Sequence, residues 1–225
     1  MEHIQYAKNV LDEGTLNNLQ QLCSQHYEEI PVYNFSRKTE KPKNYLEEVL
    51  RNLIGYDNHL EYWVRDTTDA TLMHVDANEL QAKIDYYKYG EEDPYLIKEF
   101  PLNTHILYVD IDPKMEGGNL LIMPEQEYIA GRKILDDTFQ VPEGSKILVI
   151  KPQTNHMVLF DRPLYHAVEK VINDVVVRHR TALMFSSWKE IPNVYREHEH
   201  WSNFMITHPG GPNYQPMDLE FKLTL

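Results

Sequence analysis

Cysteine is almost missing from this chain, since Cys23 is the only one in 225 residues. An intramolecular disulfide is therefore impossible, and a reducing, cytoplasmic compartment is expected. No apolar run approaches the ~20 residues of a membrane-spanning helix. The first residues, Met1 to Gln5, also lack the charged-then-apolar pattern of a secretory signal. These absences predict a cytoplasmic protein with no membrane partner.

Long basic runs are missing as well. The 22 lysines and arginines are outnumbered by 35 aspartates and glutamates, which gives a formal charge of −13. Nucleic-acid backbones and anionic membrane surfaces both favour clustered basic residues. We therefore expect no nucleic-acid partner and a small-molecule or protein side-chain substrate. The sequence leaves the oligomeric state open.

Two helices are predicted within residues 1–60. Asp12 or Thr15 can cap the first helix. For the second, Asn44 can be the N-cap, Glu47 completes a capping box and Gly55 can close the helix. Residues 34–43, between the helices, are polar and basic and are predicted to form a loop. The apolar positions recur at helical spacing in both segments: Leu16, Leu19, Leu22 and Cys23, then Leu46, Val49, Leu50, Leu53 and Ile54. We interpret residues 1–60 as a helical buttress, which can also shape a substrate mouth.

The pattern changes to short strands over residues 61–188. Strands with frequent turn signals are typical of an all-β sandwich or jelly roll. Residues 77–101 form a long polar loop, a class of loop that is often functional. Residues 189–225 are predicted to pack on the core or to cover it, with His198 and His200 as exposed tail histidines or a second metal pair. The predicted strands cover residues 62–64, 70–75, 104–111, 119–123, 146–150, 156–160, 166–171 and 175–188.

Three separated side chains form a candidate metal site. His74 and Asp76 are two residues apart, so at the end of a strand they point to the same side. A third ligand must come from another strand, and His166 is the candidate. Two imidazoles and one carboxylate, with open positions left on the metal, are typical of non-haem iron(II) oxygenases. The alternative is that His74 and His166 are ordinary half-buried histidines that bind no metal.

The residues around this set resemble the iron(II)- and 2-oxoglutarate-dependent dioxygenases, and among them the prolyl-hydroxylase-like branch. Three blocks carry the resemblance: residues 74–76, residues 106–110 followed by 117–120, and residues 159–168 followed by 180–185. The resemblance implies a mainly β fold with flanking helices around a double-stranded β-helix (jelly roll, cupin-like) core at residues 61–188. It does not cover residues 1–60 or 189–225.

The family's functional residues transfer to matching positions. The resemblance implies that His74, Asp76 and His166 hold iron(II), that Arg180 pairs with the distal carboxylate of 2-oxoglutarate, and that Tyr108 hydrogen-bonds this co-substrate. Dioxygen is the other co-substrate implied, and ascorbate is a candidate reductant. From His166 to Arg180 there are 14 positions, more than in the usual family pattern. An extended hairpin through residues 173–174 would accommodate them. Arg178 is the alternative candidate for binding the distal carboxylate, which we call the clamp.

The activity expected from this resemblance is hydroxylation of an unactivated C–H bond of a protein side chain, prolyl included, or of a small molecule. Decarboxylation of 2-oxoglutarate to succinate and carbon dioxide would accompany it. Two alternatives belong to other classes. One is a jelly-roll binding module without turnover, and the other is a zinc hydrolase using the same three ligands and a water. A zinc hydrolase has no particular need for an arginine facing the metal.

Overall fold

The computed structural model describes residues 3–26, 34–66, 69–78, 99–127, 143–173 and 180–192. These residues form two α-helices and ten β-strands, and all the strand pairings are antiparallel. In chain order the elements are β1 (Ile4–Lys8), α1 (Glu13–His26), β2 (Asn34–Ser36), α2 (Tyr45–Ile54), β3 (His59–Asp66), β4 (Thr71–His74), β5 (Asn103–Ile111), β6 (Leu120–Glu127), β7 (Leu148–Ile150), β8 (His156–Phe160), β9 (Leu164–Val168) and β10 (Arg180–Trp188).

Strands β3 to β10 pair in a nested order. Strand β3 pairs with β10, β4 with β9, β5 with β8 and β6 with β7. The result is a six-stranded sheet, β1-β8-β5-β10-β3-β2, facing a four-stranded sheet, β4-β9-β6-β7. This nesting winds the chain as a double-stranded β-helix. The predicted jelly-roll core is therefore confirmed.

The larger sheet is covered on both faces, which explains why every residue of the central strand β10 is buried. One face packs against the helices, and the other packs against the smaller sheet. Alternate residues of a strand point to opposite faces. In β5, Leu107 and Val109 accordingly join the cluster with the helices, whereas Ile106 and Tyr108 join the cluster between the sheets.

Local sequence signals define both helices. Asp12 precedes α1, and its carboxylate accepts hydrogen bonds from the backbone N–H and the hydroxyl of Thr15. Asn44 caps α2 by accepting from the backbone N–H of Glu47 at 2.8 Å, and Gly55 closes this helix with φ +78°. Side chains such as Leu46 and Leu50 are fully buried against the sheet, and each such burial contributes about 1.5–3 kcal/mol. The predicted caps of α2 are confirmed.

A buried guanidinium joins α2 to the edge of the larger sheet. Arg51 is fully buried. Its Nη1 donates to the carbonyls of Gly55 and Asn58, and its Nη2 donates to the carbonyls of Ser36 and Arg37 and to the Ser36 hydroxyl. This contact holds β2 where it pairs with β3. The prediction of a loop over residues 34–43 is therefore wrong for Asn34–Ser36, because a three-residue strand carries no readable alternation.

Other boundaries also differ from the sequence prediction. Residues 1–60 supply not only helices but also β1 and β2, both of which belong to the larger sheet. Strand β9 begins at Leu164 rather than at His166, so His166 lies in the middle of the strand. Most of the 77–101 loop, the 193–225 part of the tail and Arg178 lie outside the described residues. Neither α1 nor α2 has the length and apolar composition needed to cross a bilayer.

Candidate functional site

Strand pairing brings the two candidate imidazoles together. His74, the last residue of β4, is the register partner of His166 in β9. Directly paired residues project from the same face of a sheet, and the two ring centroids are 4.3 Å apart. Both rings face the space between the sheets, where the His166 ring also lies 5.0 Å from that of Phe160.

Asp76 completes the group two residues after β4 ends. Between the two candidate ligands, Val75 is buried in a separate cluster with Met123 and Tyr165. Because Val75 points into this cluster, the neighbouring side chains of His74 and Asp76 point to the opposite side, towards His166. The Oδ1 atom of Asp76 is 3.8 Å from Nε2 of His74 and 3.9 Å from Nε2 of His166.

Backbone carbonyls set the orientation of both rings. Nδ1 of His74 lies 2.8 Å from the carbonyl oxygen of Leu72, and Nδ1 of His166 lies 3.0 Å from that of Leu164. A carbonyl only accepts, so each Nδ1 carries the proton and each Nε2 presents a lone pair. This is the tautomer that binds a metal through Nε2.

The Nε2 lone pair of His74 is available at neutral pH, and Nε2 of His166 lacks a hydrogen-bond partner among the described residues. Burial, reinforced by the neighbouring His166, lowers the pKa of His74 to about 4. His166 is 1% exposed, and its Nε2 has no hydrogen-bond partner among the described residues. A buried polar atom without a partner is costly. A metal ion at this position would supply that partner.

Thr104 holds the carboxylate in place. Its hydroxyl donates to Oδ2 of Asp76 at 2.9 Å, so Oδ1 is the oxygen directed at the two imidazoles. Metal ligands in proteins are commonly oriented by such hydrogen bonds. No motif in the sequence pointed to this role of Thr104. A hydroxyl at an inward-facing position was the only available signal.

The donor set fits a divalent transition metal. The candidate ligand atoms of His74, Asp76 and His166 all lie within 4.8 Å of one another. Ligands bound at ~2.1 Å with perpendicular bonds are ~3 Å apart, so side-chain movements of about 1 Å would bring all three onto one ion. Two imidazoles and one carboxylate leave other coordination positions open, as an oxygenase requires.

A second polar group lies between the sheets on strands β5 and β10. Arg180 is 2% exposed, and its Nε donates to the carbonyl of Gly118 at 3.1 Å. Its guanidinium carbon is 5.9 Å from the ring centroid of Tyr108. Neither Nη1 of Arg180 nor the Tyr108 hydroxyl has a hydrogen-bond partner of good geometry among the described residues. Both groups can therefore bind an anion.

The electrostatics of this pair also favour an anion. Burial raises the pKa of Tyr108 to about 12, with the Arg180 charge opposing part of the rise, so its phenol stays a hydrogen-bond donor. Burial lowers the pKa of Arg180 from its usual range, while Tyr108 opposes the shift. Arg65, a further inward-facing residue, adds a like charge near Arg180. A charged guanidinium in this position is stabilised by a bound carboxylate.

The structure thus brings His74, Asp76 and His166 together, and separately Tyr108 and Arg180. It adds three features that sequence analysis missed: the Thr104 hydroxyl, the Gly118 carbonyl and the Arg65 side chain. The last carried no distinguishing signal, because the same segment also contains the charged residues Glu61 and Asp66. The rival clamp Arg178 is not among the described residues.

Comparison with known proteins places the fold. No protein-family model and no curated protein sequence matches this chain. Among solved structures, a Pseudomonas putida prolyl-4-hydroxylase is similar, with TM-score 0.51, 11% identity, and 84% of this chain and 94% of that chain covered. The α-ketoglutarate-dependent carbocyclase SnoK from nogalamycin biosynthesis is similar with TM-score 0.52 and 14% identity, covering 83% and 79%. The epimerase SnoN in complex with Fe³⁺, α-ketoglutarate and nogalamycin RO gives TM-score 0.52 and 12% identity, covering 99% and 91%.

This chain therefore has the fold of the iron(II)- and 2-oxoglutarate-dependent oxygenases, a double-stranded β-helix with helices packed on the outer face of its larger sheet. Within that group its structural likeness includes a prolyl-4-hydroxylase, the branch that its sequence motifs resemble.

Proposed function

We propose that this protein is an iron(II)- and 2-oxoglutarate-dependent oxygenase that hydroxylates an unactivated C–H bond of a protein side chain, such as a prolyl residue, or of a small molecule. The observation that carries the proposal is the convergence of His74, Asp76 and His166. The similar structures by themselves support only the fold, because they are 11–14% identical to this chain.

The metal is assigned to Nε2 of His74, Nε2 of His166 and Oδ1 of Asp76. The Leu72 and Leu164 carbonyls keep both rings in the required tautomer. When bound, iron(II) with 2-oxoglutarate and dioxygen supplies the oxidising power for C–H hydroxylation, and 2-oxoglutarate is converted to succinate and carbon dioxide.

The distal carboxylate of 2-oxoglutarate is assigned to Arg180 and Tyr108. The guanidinium Nη1 and the phenol are both donors without a partner of good geometry in the described part of the chain. A planar guanidinium binds a carboxylate through parallel, charge-assisted hydrogen bonds. With Nε held by the Gly118 carbonyl, the guanidinium has its orientation set before the ligand arrives.

Burial excludes water from His166 and from the Arg180–Tyr108 pair, whereas the His74 and Asp76 side chains are 21% and 16% exposed. Tyr108 is fully buried, and His166 and Arg180 are at most 2% exposed. In such a setting, hydrogen bonds and charge pairs are stronger than in water. The chain contributes geometry and a dry pocket, and no general base is required. The single free cysteine and the ferrous metal are both consistent with a reducing compartment.

One experiment tests the proposal. The protein is reconstituted anaerobically with iron(II), 2-oxoglutarate is added, and the visible charge-transfer band of the complex is recorded. Air is then admitted and succinate is measured, alone and with candidate protein and small-molecule substrates. The band and succinate formation are expected. If the band is missing and no succinate forms, the protein is not this kind of oxygenase.

Variants separate the two assigned sites. His166→Ala is expected to abolish iron binding, whereas His59→Ala, which removes a buried histidine stacked on Phe35, is expected to retain it. Arg180→Ala is expected to retain iron binding and to weaken 2-oxoglutarate binding. If Arg178→Ala has that effect and Arg180→Ala does not, the clamp is Arg178.

The same measurements address the alternatives. A binding module without turnover would bind iron or 2-oxoglutarate but form no succinate. A zinc hydrolase would release product with zinc and without 2-oxoglutarate. The buried Arg180 beside Tyr108 argues against the hydrolase, because a hydrolytic water needs no such anion site.

A further inference from the structure

Arg65 projects into the space between the sheets. In β3, Leu60, Tyr62 and Val64 pack with the helix-side cluster, so Trp63 and Arg65 point the other way. The register confirms this side, because Arg65 pairs with Ala182, an interior residue of the cluster between the sheets. Arg65 is therefore a charged side chain directed at the proposed active site.

The charge of Arg65 acts on two basic groups. The electrostatic influence of Arg65 reaches both His74 and Arg180, so it lies within range of both proposed binding groups. Its side chain is only partly exposed. Within the described ranges, no carboxylate pairs with it and no acceptor hydrogen-bonds it. A partly buried cation without a counter-charge is unfavourable.

Counted over the described residues of the site, the charges of the proposed active complex sum to one positive charge. The two charges of ferrous iron offset those of the dicarboxylate 2-oxoglutarate, and Asp76 offsets one of the two arginines. The remaining arginine is Arg65, because Arg180 has the better-built anion site, with its Nε held by Gly118 and Tyr108 alongside. Surplus positive charge between the sheets, in a chain of net charge −13, favours an anionic ligand.

We propose that Arg65 binds an anionic group of the primary substrate, so that the enzyme hydroxylates a carboxylate- or phosphate-bearing molecule or side chain. This inference rests on the proposed function. Arg65 would be a specificity-determining residue, whose forked guanidinium suits either oxyanion. It would hold the substrate's charged end on the β3 side of the cavity, across from the ligands on β4 and β9.

The test uses the full chain, loaded anaerobically with iron(II) and saturating 2-oxoglutarate, so that Arg180 is already occupied. Acetate and inorganic phosphate are the probes, titrated at ionic strength matched with chloride. Melting temperature is one readout, and the 2-oxoglutarate dissociation constant from the charge-transfer band is the other. The wild type is expected to gain about 2–4 °C, saturably, at a probe concentration a few times its dissociation constant. The probe that acts at lower concentration identifies the anion class.

Three variants make the assignment specific. Arg65→Met should abolish the probe response while leaving 2-oxoglutarate affinity within about twofold of wild type, a difference under ~0.5 kcal/mol. Arg65→Lys should retain part of the response because it keeps the charge. Arg37→Met is the matched control, since Arg37 is an exposed arginine paired with Glu40, and it should respond like the wild type.

Three results would overturn the inference. The first is a wild type that does not respond to either probe, and the second is an Arg65→Met variant that responds as the wild type does. The third is an Arg65→Met variant whose 2-oxoglutarate affinity falls at least tenfold, which would make Arg65 part of the co-substrate site. Failure of the proposed function is distinguishable from all three, because then the charge-transfer band itself would not form.

Discussion

The hydroxyl of Thr104 donates to Oδ2 of Asp76 at 2.9 Å, and this single contact across the two sheets directs the other carboxylate oxygen at both histidines. Thr104 lies on β5 of the larger sheet, whereas Asp76 follows β4 of the smaller one. The candidate metal centre therefore depends on how the two sheets face each other as well as on its three ligands.

Removing this hydroxyl should weaken metal binding. Thr104→Val keeps the shape of the side chain but leaves the Asp76 carboxylate free to rotate, so we expect iron(II) affinity to fall about 10- to 100-fold. Thr104→Ser should restore most of it. Thr181→Val is the matched control, because Thr181 is buried on the opposite face of the larger sheet. Equal metal affinity in Thr104→Val and Thr181→Val, measured by anaerobic titration, would show that Thr104 does not position the ligand.

Gly118 is predicted to control the shape of the anion site. A Cβ atom at this position would lie 3.3 Å from Cδ of Arg180, 3.1 Å from Cε of Met115 and 3.2 Å from Cγ2 of Val171. Gly118→Ala should displace the guanidinium and weaken 2-oxoglutarate binding about tenfold, the effect of ~1.4 kcal/mol.

The control for this substitution is Gly144→Ala. Gly118 and Gly144 have φ of +67° and +81°, so both alanine variants carry the left-handed backbone cost of about 1–2 kcal/mol. A Cβ at Gly144, however, meets no atom within 4 Å. Both variants should melt earlier, but only Gly118→Ala should lose co-substrate affinity. A similar loss in Gly144→Ala would mean that general destabilisation, and not the contact with Arg180, is responsible.

The buried guanidinium of Arg51 is predicted to be a main source of stability for the edge of the larger sheet. Arg51→Met keeps the apolar stem but leaves the carbonyls of Ser36, Arg37 and Asn58 without their donors. We expect the free energy of unfolding to fall by about 3 kcal/mol, measured by urea denaturation. Arg37→Met, at an exposed position, should change it by less than ~0.5 kcal/mol. An Arg51→Met variant as stable as Arg37→Met would show that other contacts hold β2.

His105 should make the protein acid-sensitive. Burial lowers the pKa of His105 to about 4, below the ordinary value near ~6.5 of the unfolded chain. Between these values the unfolded state binds the proton and the folded state does not. The stabilisation is therefore complete above pH ~6.5 and is lost as the pH falls towards ~4, with a total of about 3 kcal/mol.

The variant His105→Phe isolates this contribution, because it keeps a ring stacked on Phe185 and cannot titrate. The free energy of unfolding is measured by urea denaturation at several pH values between ~4 and ~6.5. As the pH is lowered over that range, the free energy of unfolding of His105→Phe should fall by about 3 kcal/mol less than that of the wild type. Identical profiles for His105→Phe and wild type would contradict the prediction.

Features set by short-range chemistry were predictable from the sequence. Asn44 caps the N-terminus of α2 and Gly55 caps its C-terminus, as predicted, because caps depend on neighbouring residues along the chain. The two-residue spacing of His74 and Asp76 correctly predicted a shared side. The strand predicted at residues 104–111 is confirmed as β5. The motif resemblance added the jelly-roll core, which the nested strand pairing confirms.

Features that depend on contacts distant in sequence were decided only by the tertiary structure. Strands β1 and β2 form because an existing sheet edge accepts them, and their own residues show no clear alternation. Only when the two sheets are stacked does the Thr104 hydroxyl reach Asp76. The same stacking places Arg65 in the space between the sheets. The alternation within a strand specifies which of its residues share a face. Which other strand packs against that face is set by pairing between residues that are distant in sequence. For this reason the sequence determined the candidate ligands, and the fold decided what surrounds them.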